Sequence, residues 1–203
     1  DILLEVQQNL ITASTVDQWI NGLMMPATSY TVVPELETGN LVASLSSAQR
    51  NAIVNFVDRG GTFIVAYAGS YNEVALLNGL FGFSIDGGSG CGSGSFYMQD
   101  AARSTCFGSM CDGKSCSTLG SVNAVRCVSE SSLLASSSRA KALWKTTSAQ
   151  VAVFEIPVGN SGGRVVGLAA DYYAFTPEWA QVLQASTFGG QASDGTASNS
   201  SGV

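Results

Sequence analysis

The segment from Leu45 to Gly82 constrains the fold more than any other part of the chain. Ser46 and Gln49 have the spacing of a capping box, in which two side chains satisfy backbone N–H groups at the start of a helix. The glycines at 60 and 61 are placed to end that helix through a left-handed residue. An apolar run from Thr62 to Tyr67 follows, as expected for a strand covered on both faces. The segment therefore predicts helix, strand and a second helix that ends near its final glycine.

Similar signals along the rest of the chain alternate between strand and helix. Apolar or β-branched runs predict strands, whereas capping-box and Thr-Pro-Glu sequences predict helix starts. The predicted strands are Ile2–Val6, Tyr30–Val33, Val122–Val128, Ala142–Trp144, Val151–Ile156 and Arg164–Ala170, and further helices are expected after Thr15 and Thr176. Strands separated by helices indicate an α/β fold, here a three-layer sandwich with a mostly parallel sheet and antiparallel additions at one edge.

Composition and charge exclude several classes of function. The 203 residues suit one domain over residues 1–188, followed by a Ser/Gly/Thr-rich tail over residues 189–203. Only 12% of the residues are charged, and the net charge is −6 with nine Lys and Arg residues. A nucleic-acid partner is not expected, because phosphate binding needs clustered cations. No membrane span is expected either, since no apolar run approaches the roughly 18–20 residues that cross a bilayer.

Five cysteines lie in or just beyond a Gly/Ser-rich insertion over residues 84–120, where hydrophobic periodicity disappears. They are Cys91, Cys106, Cys111, Cys116 and Cys127. Their spacing lacks the paired motifs of zinc sites, so a disulfide framework in an oxidising compartment is favoured over metal or redox chemistry. The odd number leaves one thiol that is free or bonded to another chain. A glycosylation sequon at Asn199 agrees with an extracellular location.

Two groups of motifs share a pattern with a known superfamily. The first is Tyr30–Glu37, in which a strand ends in Pro-Glu, followed by Leu45-Ser46 and by Phe56–Thr62. The second is Gly162–Leu168 with Asp171, and then Trp179 and Leu183. Over roughly residues 16–82 and 140–186, these motifs resemble the class I glutamine amidotransferase-like superfamily, in its flavodoxin-like branch of domains of unknown function.

That resemblance implies a fold rather than an activity. Catalytic members of the superfamily use a Cys nucleophile at a strand-to-helix elbow, with His and Glu partners. The matching turn at residues 68–71 contains no Cys, and the chain contains no His. The resemblance also implies an opening strand and helix, and we predict that this unit is shortened or absent ahead of Thr15. A parallel sheet without that neighbour exposes a strand edge that can pair with another chain.

The candidate catalytic residues have simpler structural interpretations. Ser70 occupies the elbow position, but a Ser nucleophile needs a base, and with Glu73 it matches a helix-capping pair instead. Glu35 and Glu37 could act as an acid/base pair at the carboxyl end of a strand, where ligands of open α/β sheets bind. Acidic residues in surface loops are, however, usually only solvated. The sequence therefore predicts no enzyme activity.

Aromatic residues near the C-terminus form the other candidate site. Tyr172, Tyr173 and Trp179 could form a glycan-binding platform, because flat rings offer a large apolar contact area with a polar tip. Such clusters more often pack the corner between a strand and a helix.

The function predicted from the sequence is that of a non-catalytic, secreted structural module that assembles with copies of itself, as the protomer of an extracellular filament. A strand from Ile2–Val6, or the C-terminal tail, would complete the sheet of a neighbour, and such head-to-tail contacts propagate into fibres when they do not close. The alternatives are an extracellular glycan-binding module and, ranked last, a degenerate hydrolase. No cofactor and no metal are expected.

Overall fold

The computed structural model describes residues 12–33, 36, 39–67, 72–91, 94–120, 126–171 and 174–188. The strands are β1 (Tyr30–Val33), β2 (Thr62–Ala66), β3 (Gly87–Gly90), β4 (Ser95–Met98), β5 (Thr118–Gly120), β6 (Arg126–Ser129), β7 (Lys141–Lys145), β8 (Gln150–Val158) and β9 (Gly163–Leu168). The helices are α1 (Val16–Leu23), α2 (Leu41–Ser44), α3 (Ser47–Asp58), α4 (Asn72–Phe81), α5 (Asp100–Arg103), α6 (Cys106–Cys111), α7 (Glu130–Ser136) and α8 (Pro177–Thr187), with a 3₁₀ turn at Ser115–Ser117. The predicted strand Ile2–Val6 and the tail over 189–203 lie outside the described residues.

These strands form one mixed sheet in the order β1-β2-β9-β8-β7-β4-β5. β1, β2 and β9 are mutually parallel, whereas β8, β7, β4 and β5 continue the sheet with antiparallel pairings. The α/β class and the antiparallel additions at one edge are therefore confirmed. The parallel part is smaller than predicted, because the hairpin between β8 and β9 turns the sheet antiparallel at its third strand.

Helix ends follow the predicted capping chemistry. Ser46 and Gln49 form a complete capping box at the start of α3. The Thr15 hydroxyl accepts a hydrogen bond from the Gln18 amide, while the Gln18 side chain reaches back to Ser14. Gly60 ends α3 with a φ of 106°, a left-handed conformation that costs a glycine little.

Helices cover both faces of the sheet at β2. On one face, the Phe63 ring packs against Trp19 of α1 and Phe81 of α4, with centroids 6.2 and 5.7 Å away. On the other face, Arg164 of β9 lies beside Thr62 and reaches the carbonyl of Ser186 in α8. Every residue of β2 and β9 is consequently buried, which explains why both strands are mainly apolar, with Arg164 as the charged exception.

The insertion over residues 84–120 is part of the core, which corrects the expectation that disulfides alone hold it. Phe96, Phe107 and Leu119 within it are fully buried. Residues 87–90, predicted to be loop, form β3 and pair with β6. Its elements span only three to six residues, too short to show a periodic pattern in the sequence.

β8 carries two successive partners along one edge. β9 pairs with residues 153–158, and β6 pairs with Gln150 and Val151 where β9 has ended. The hydroxyl of Tyr67 lies at this junction and donates to the carbonyls of Val151 and Ala152, at 3.1 and 3.2 Å. Tyr67 is buried, so its hydroxyl provides polar contacts at a point where the ladder changes partner.

Replacement of this hydroxyl should destabilise the fold in a pH-dependent way. We expect Tyr67→Phe to lower the free energy of unfolding by about 1 kcal/mol near neutral pH, because buried carbonyls lose a donor. Burial raises the pKa of Tyr67 well above its usual value. The unfolded wild type releases this proton above about pH 10 while the folded protein keeps it, so the wild type loses stability there.

Urea unfolding from pH 7 to 11 would measure both effects, with Tyr97→Phe as the control because that ring is 49% exposed. The stability gap between the wild type and Tyr67→Phe should narrow above about pH 10. A constant gap across this range would contradict the assigned burial of the hydroxyl.

Candidate functional site

The outer edge of β1 is the candidate site for association. Within the described ranges, β1 pairs with β2 and with no other strand. The Thr62 amide donates to the Ser29 carbonyl at 2.9 Å, and Tyr30 lies opposite Thr62. In a parallel ladder with this register, successive residues alternate between the two edges. The N–H and C=O groups of Tyr30 and Val32 therefore point away from β2.

Side chains on β1 hold the strand firmly, and none of the described strands pairs with its outer edge. Thr31 and Val33 are buried, and the Trp19 indole N–H of α1 donates to the Thr31 hydroxyl at 2.9 Å. Two large apolar side chains, Met24 and Met25, lie exposed in the connection from α1 to β1. An edge strand that is fixed by its side chains and flanked by apolar surface is a template for a further strand.

The cysteines form two disulfides and leave one free thiol. Cys91 bonds to Cys127 and Cys111 bonds to Cys116, which confirms a disulfide framework in this region. Cys106 is unpaired and half-buried. Its thiol donates to the Ala185 carbonyl at 3.3 Å.

A buried ion pair lies next to this thiol. Arg164 Nη1 is 2.6 Å from Glu155 Oε2, and both side chains are about 6% exposed. Lys141 Nζ approaches the other carboxylate oxygen at 3.2 Å. Arg164 also donates to the Ser186 carbonyl at 2.8 Å and to the Cys106 sulfur at 3.4 Å. The guanidinium thus joins two strands, the last helix and the cysteine-bearing helix.

An open groove with a volume of about 950 Å³ lies over this cluster. Its walls include Arg103, Cys106, Arg139, Lys141 and Phe188, together with the glycine-rich turn between β8 and β9. Sequence analysis missed this groove. A signal was present, because Glu155 and Arg164 interrupt two apolar strands that are joined by a short turn.

The structure describes Trp179 of the predicted aromatic cluster, where it supports the packing interpretation, and Glu73 of the predicted capping pair. Trp179 is fully buried and its indole N–H donates to the Gly120 carbonyl, so its ring cannot stack on a glycan. Glu73 is also fully buried, and its carboxylate accepts a hydrogen bond from the Leu36 amide. The remaining predicted residues, Ser70, Glu35, Glu37, Tyr172, Tyr173 and Asn199, lie outside the described residues.

Comparisons with known proteins do not assign the chain to a family. No model of a known protein family matches the chain, and no curated protein matches it. Among the described helices, none is long and apolar enough to cross a membrane. The same part of the chain brings no three His, Cys, Asp or Glu residues together as metal ligands. The amidotransferase-like resemblance therefore stays a prediction.

The buried ion pair should contribute far more to stability than an exposed one. We expect Glu155→Ala to cost about 3–5 kcal/mol of unfolding free energy, because it leaves the Arg164 guanidinium buried without its counter-charge. Glu130→Ala is the matched control. It breaks the Lys145 pair, whose side chains are 22–27% exposed, and should cost about 1 kcal/mol or less. Chemical denaturation of both variants measures the difference, and equal losses would contradict the structural role of Arg164.

Proposed function

We propose that this chain is a non-catalytic extracellular structural module that associates with copies of itself through the outer edge of β1. The observation that carries the proposal is the unpaired edge at Tyr30 and Val32 in the described part of the chain. Such an edge presents backbone donors and acceptors in a row, and an added strand satisfies them without any change in the sheet.

The segment Ile2–Val6 is the proposed donor strand. Its sequence, Ile-Leu-Leu-Glu-Val, is mainly apolar and short enough to match the four residues of β1. A donor from one copy that pairs with the acceptor edge of the next makes a heterologous contact, and repeated contacts of this kind build a filament.

The proposed location outside the cell is supported by the two disulfides, since disulfides persist in oxidising compartments. Absence of enzyme activity is proposed from the sequence, because no His can complete a triad at the strand-to-helix turn. We further propose a flavodoxin-like, amidotransferase-like ancestry, which the parallel strands β1, β2 and β9 with helices on both faces of β2 support.

The aromatic platform is not retained as a second candidate. Its largest ring, Trp179, lies in the core between α8 and β5. A glycan at that position would have to displace buried apolar contacts, so Trp179 does not serve as a stacking surface.

A proline on the open edge tests the association. Val32→Pro removes an N–H group that points away from β2, so it should block strand addition and leave the fold intact. We expect a monomer by sedimentation velocity and no filaments in negative-stain electron microscopy. Val32→Thr keeps both the N–H group and a β-branched side chain, and should assemble like the wild type.

Deletion of residues 1–11 identifies the donor. Loss of assembly, with restoration by an added peptide that carries Ile2–Val6, would support strand exchange. Unchanged assembly in the Val32→Pro variant, with an unchanged melting temperature, would overturn the proposal.

A further inference from the structure

The groove beside Cys106 gathers the positive charge of an otherwise acidic chain. Four of the nine Lys and Arg residues line it, and among the described lining residues Glu155 is the only acidic one. These cations are Arg103, Arg139, Lys141 and Arg164. The chain as a whole carries a net charge of −6. The fold therefore brings cations from three separate parts of the sequence, near residues 103, 140 and 164, to one groove.

Neighbouring acids neutralise only part of this charge. Glu155 is shared between Arg164 and Lys141, so one carboxylate faces two cations. Arg103 pairs with Asp100 and Asp112, neither of which lines the groove. Arg139 is exposed, donates to the Gly159 carbonyl, and makes no ion pair within the part of the chain that the structure describes. Asp58 also lies against Gly159 at the rim of the groove, so the positive potential that remains is local to the exposed Arg139 guanidinium and to Lys141, which shares Glu155 with Arg164.

The remaining lining mixes polar side chains with Pro157, Val158, glycines and one exposed ring. Ser104, Thr105, Ser109 and Asn160 contribute hydroxyl and amide groups. Phe188 lies at the groove and is 57% exposed, so its ring is accessible to a ligand. A flat apolar face beside hydrogen-bonding groups and cations suits a ligand that has apolar ring faces, hydroxyl groups and negative charge.

We propose that this groove binds an acidic saccharide. Arg139 and Lys141 would contact its carboxylate or sulfate groups, the polar lining would contact its hydroxyl groups, and Phe188 would lie against a sugar ring. Arg164 is too deeply buried to touch the ligand. Its charge, at the base of the groove, adds to the positive electrostatic potential that the ligand experiences. Nucleic acid fits less well, because a chain of phosphates needs more than two uncompensated cations and would be repelled by the remaining surface.

The rate at which the Cys106 thiol reacts with charged reagents measures the electrostatic potential in the groove. It is the one free thiol among the five cysteines, so charged methanethiosulfonate reagents label it alone, forming a mixed disulfide and releasing methanesulfinate. Relative to a small model thiol, the sulfonate reagent should react about fivefold faster than the trimethylammonium reagent at low salt. Arg139→Gln should reduce this preference. Equal normalised rates, or a preference for the cationic reagent, would overturn the positive groove.

Direct binding tests the ligand class. Polygalacturonate, dextran sulfate and neutral dextran distinguish carboxylate, sulfate and uncharged sugars. We expect at least one acidic polymer to bind and to protect Cys106 from labelling. Its affinity should fall as the salt concentration rises. The double variant Arg139→Gln/Phe188→Ala should bind about tenfold more weakly. The double variant Arg50→Gln/Leu134→Ala, which removes one cation and shortens one exposed apolar side chain away from the groove, should bind normally.

Several outcomes would overturn the proposal. One is that neutral dextran binds as tightly as the acidic polymers, and another is that neither acidic polymer binds. A third is that both double variants lose the same amount of affinity. The groove and the edge of β1 are tested separately, because Val32→Pro leaves every groove residue in place. Failure of one proposal therefore does not decide the other.

Discussion

The buried ion pair between Arg164 and Glu155 is the interaction on which the packing of this protein depends. A guanidinium in the core is stable only when its donors have partners, and here the partners come from four different elements. They are Glu155 on β8, Thr62 on β2, the Ser186 carbonyl on α8 and the Cys106 sulfur on α6. Phe107 adds a ring centred 5.9 Å from the guanidinium carbon. One side chain thus fixes the distance between the sheet and two helices.

The need of the buried Arg164 guanidinium for hydrogen-bond partners also explains why the cysteine-rich segment over residues 84–120 is not an appended loop. Arg164 draws α6 against the sheet, and Phe107 then packs edge-on against Trp144 at 5.6 Å. The disulfide Cys111–Cys116 closes the adjacent turn, and the Trp144 indole N–H donates to the Cys116 carbonyl. Apolar burial and buried polar bonds therefore fold the insertion as part of the domain, while the disulfides restrain its unfolded states.

The two proposed surfaces lie at different parts of this framework. The proposed acceptor edge belongs to β1 at the parallel end of the sheet, where side-chain anchoring fixes the strand and no described strand pairs with Val32 on the outer side. The groove lies over the antiparallel strands β7 and β8, where Lys141 and Glu155 meet α6. A structural module with both features would join its neighbours through the backbone of one edge and hold an acidic matrix polymer through Arg139 and Phe188.

The sequence by itself determined where several helices begin and end, because these features depend on interactions between neighbouring residues. The capping box at Ser46, the left-handed Gly60 and the Pro177 start of α8 each depend on neighbouring residues, so they could be predicted and were confirmed. Strand direction and the groove depend on residues far apart in the chain. Arg164 lies 58 positions from Cys106 and 102 from Thr62. Only the tertiary structure could decide these contacts, because a periodic pattern records which face of an element is buried but not what covers it.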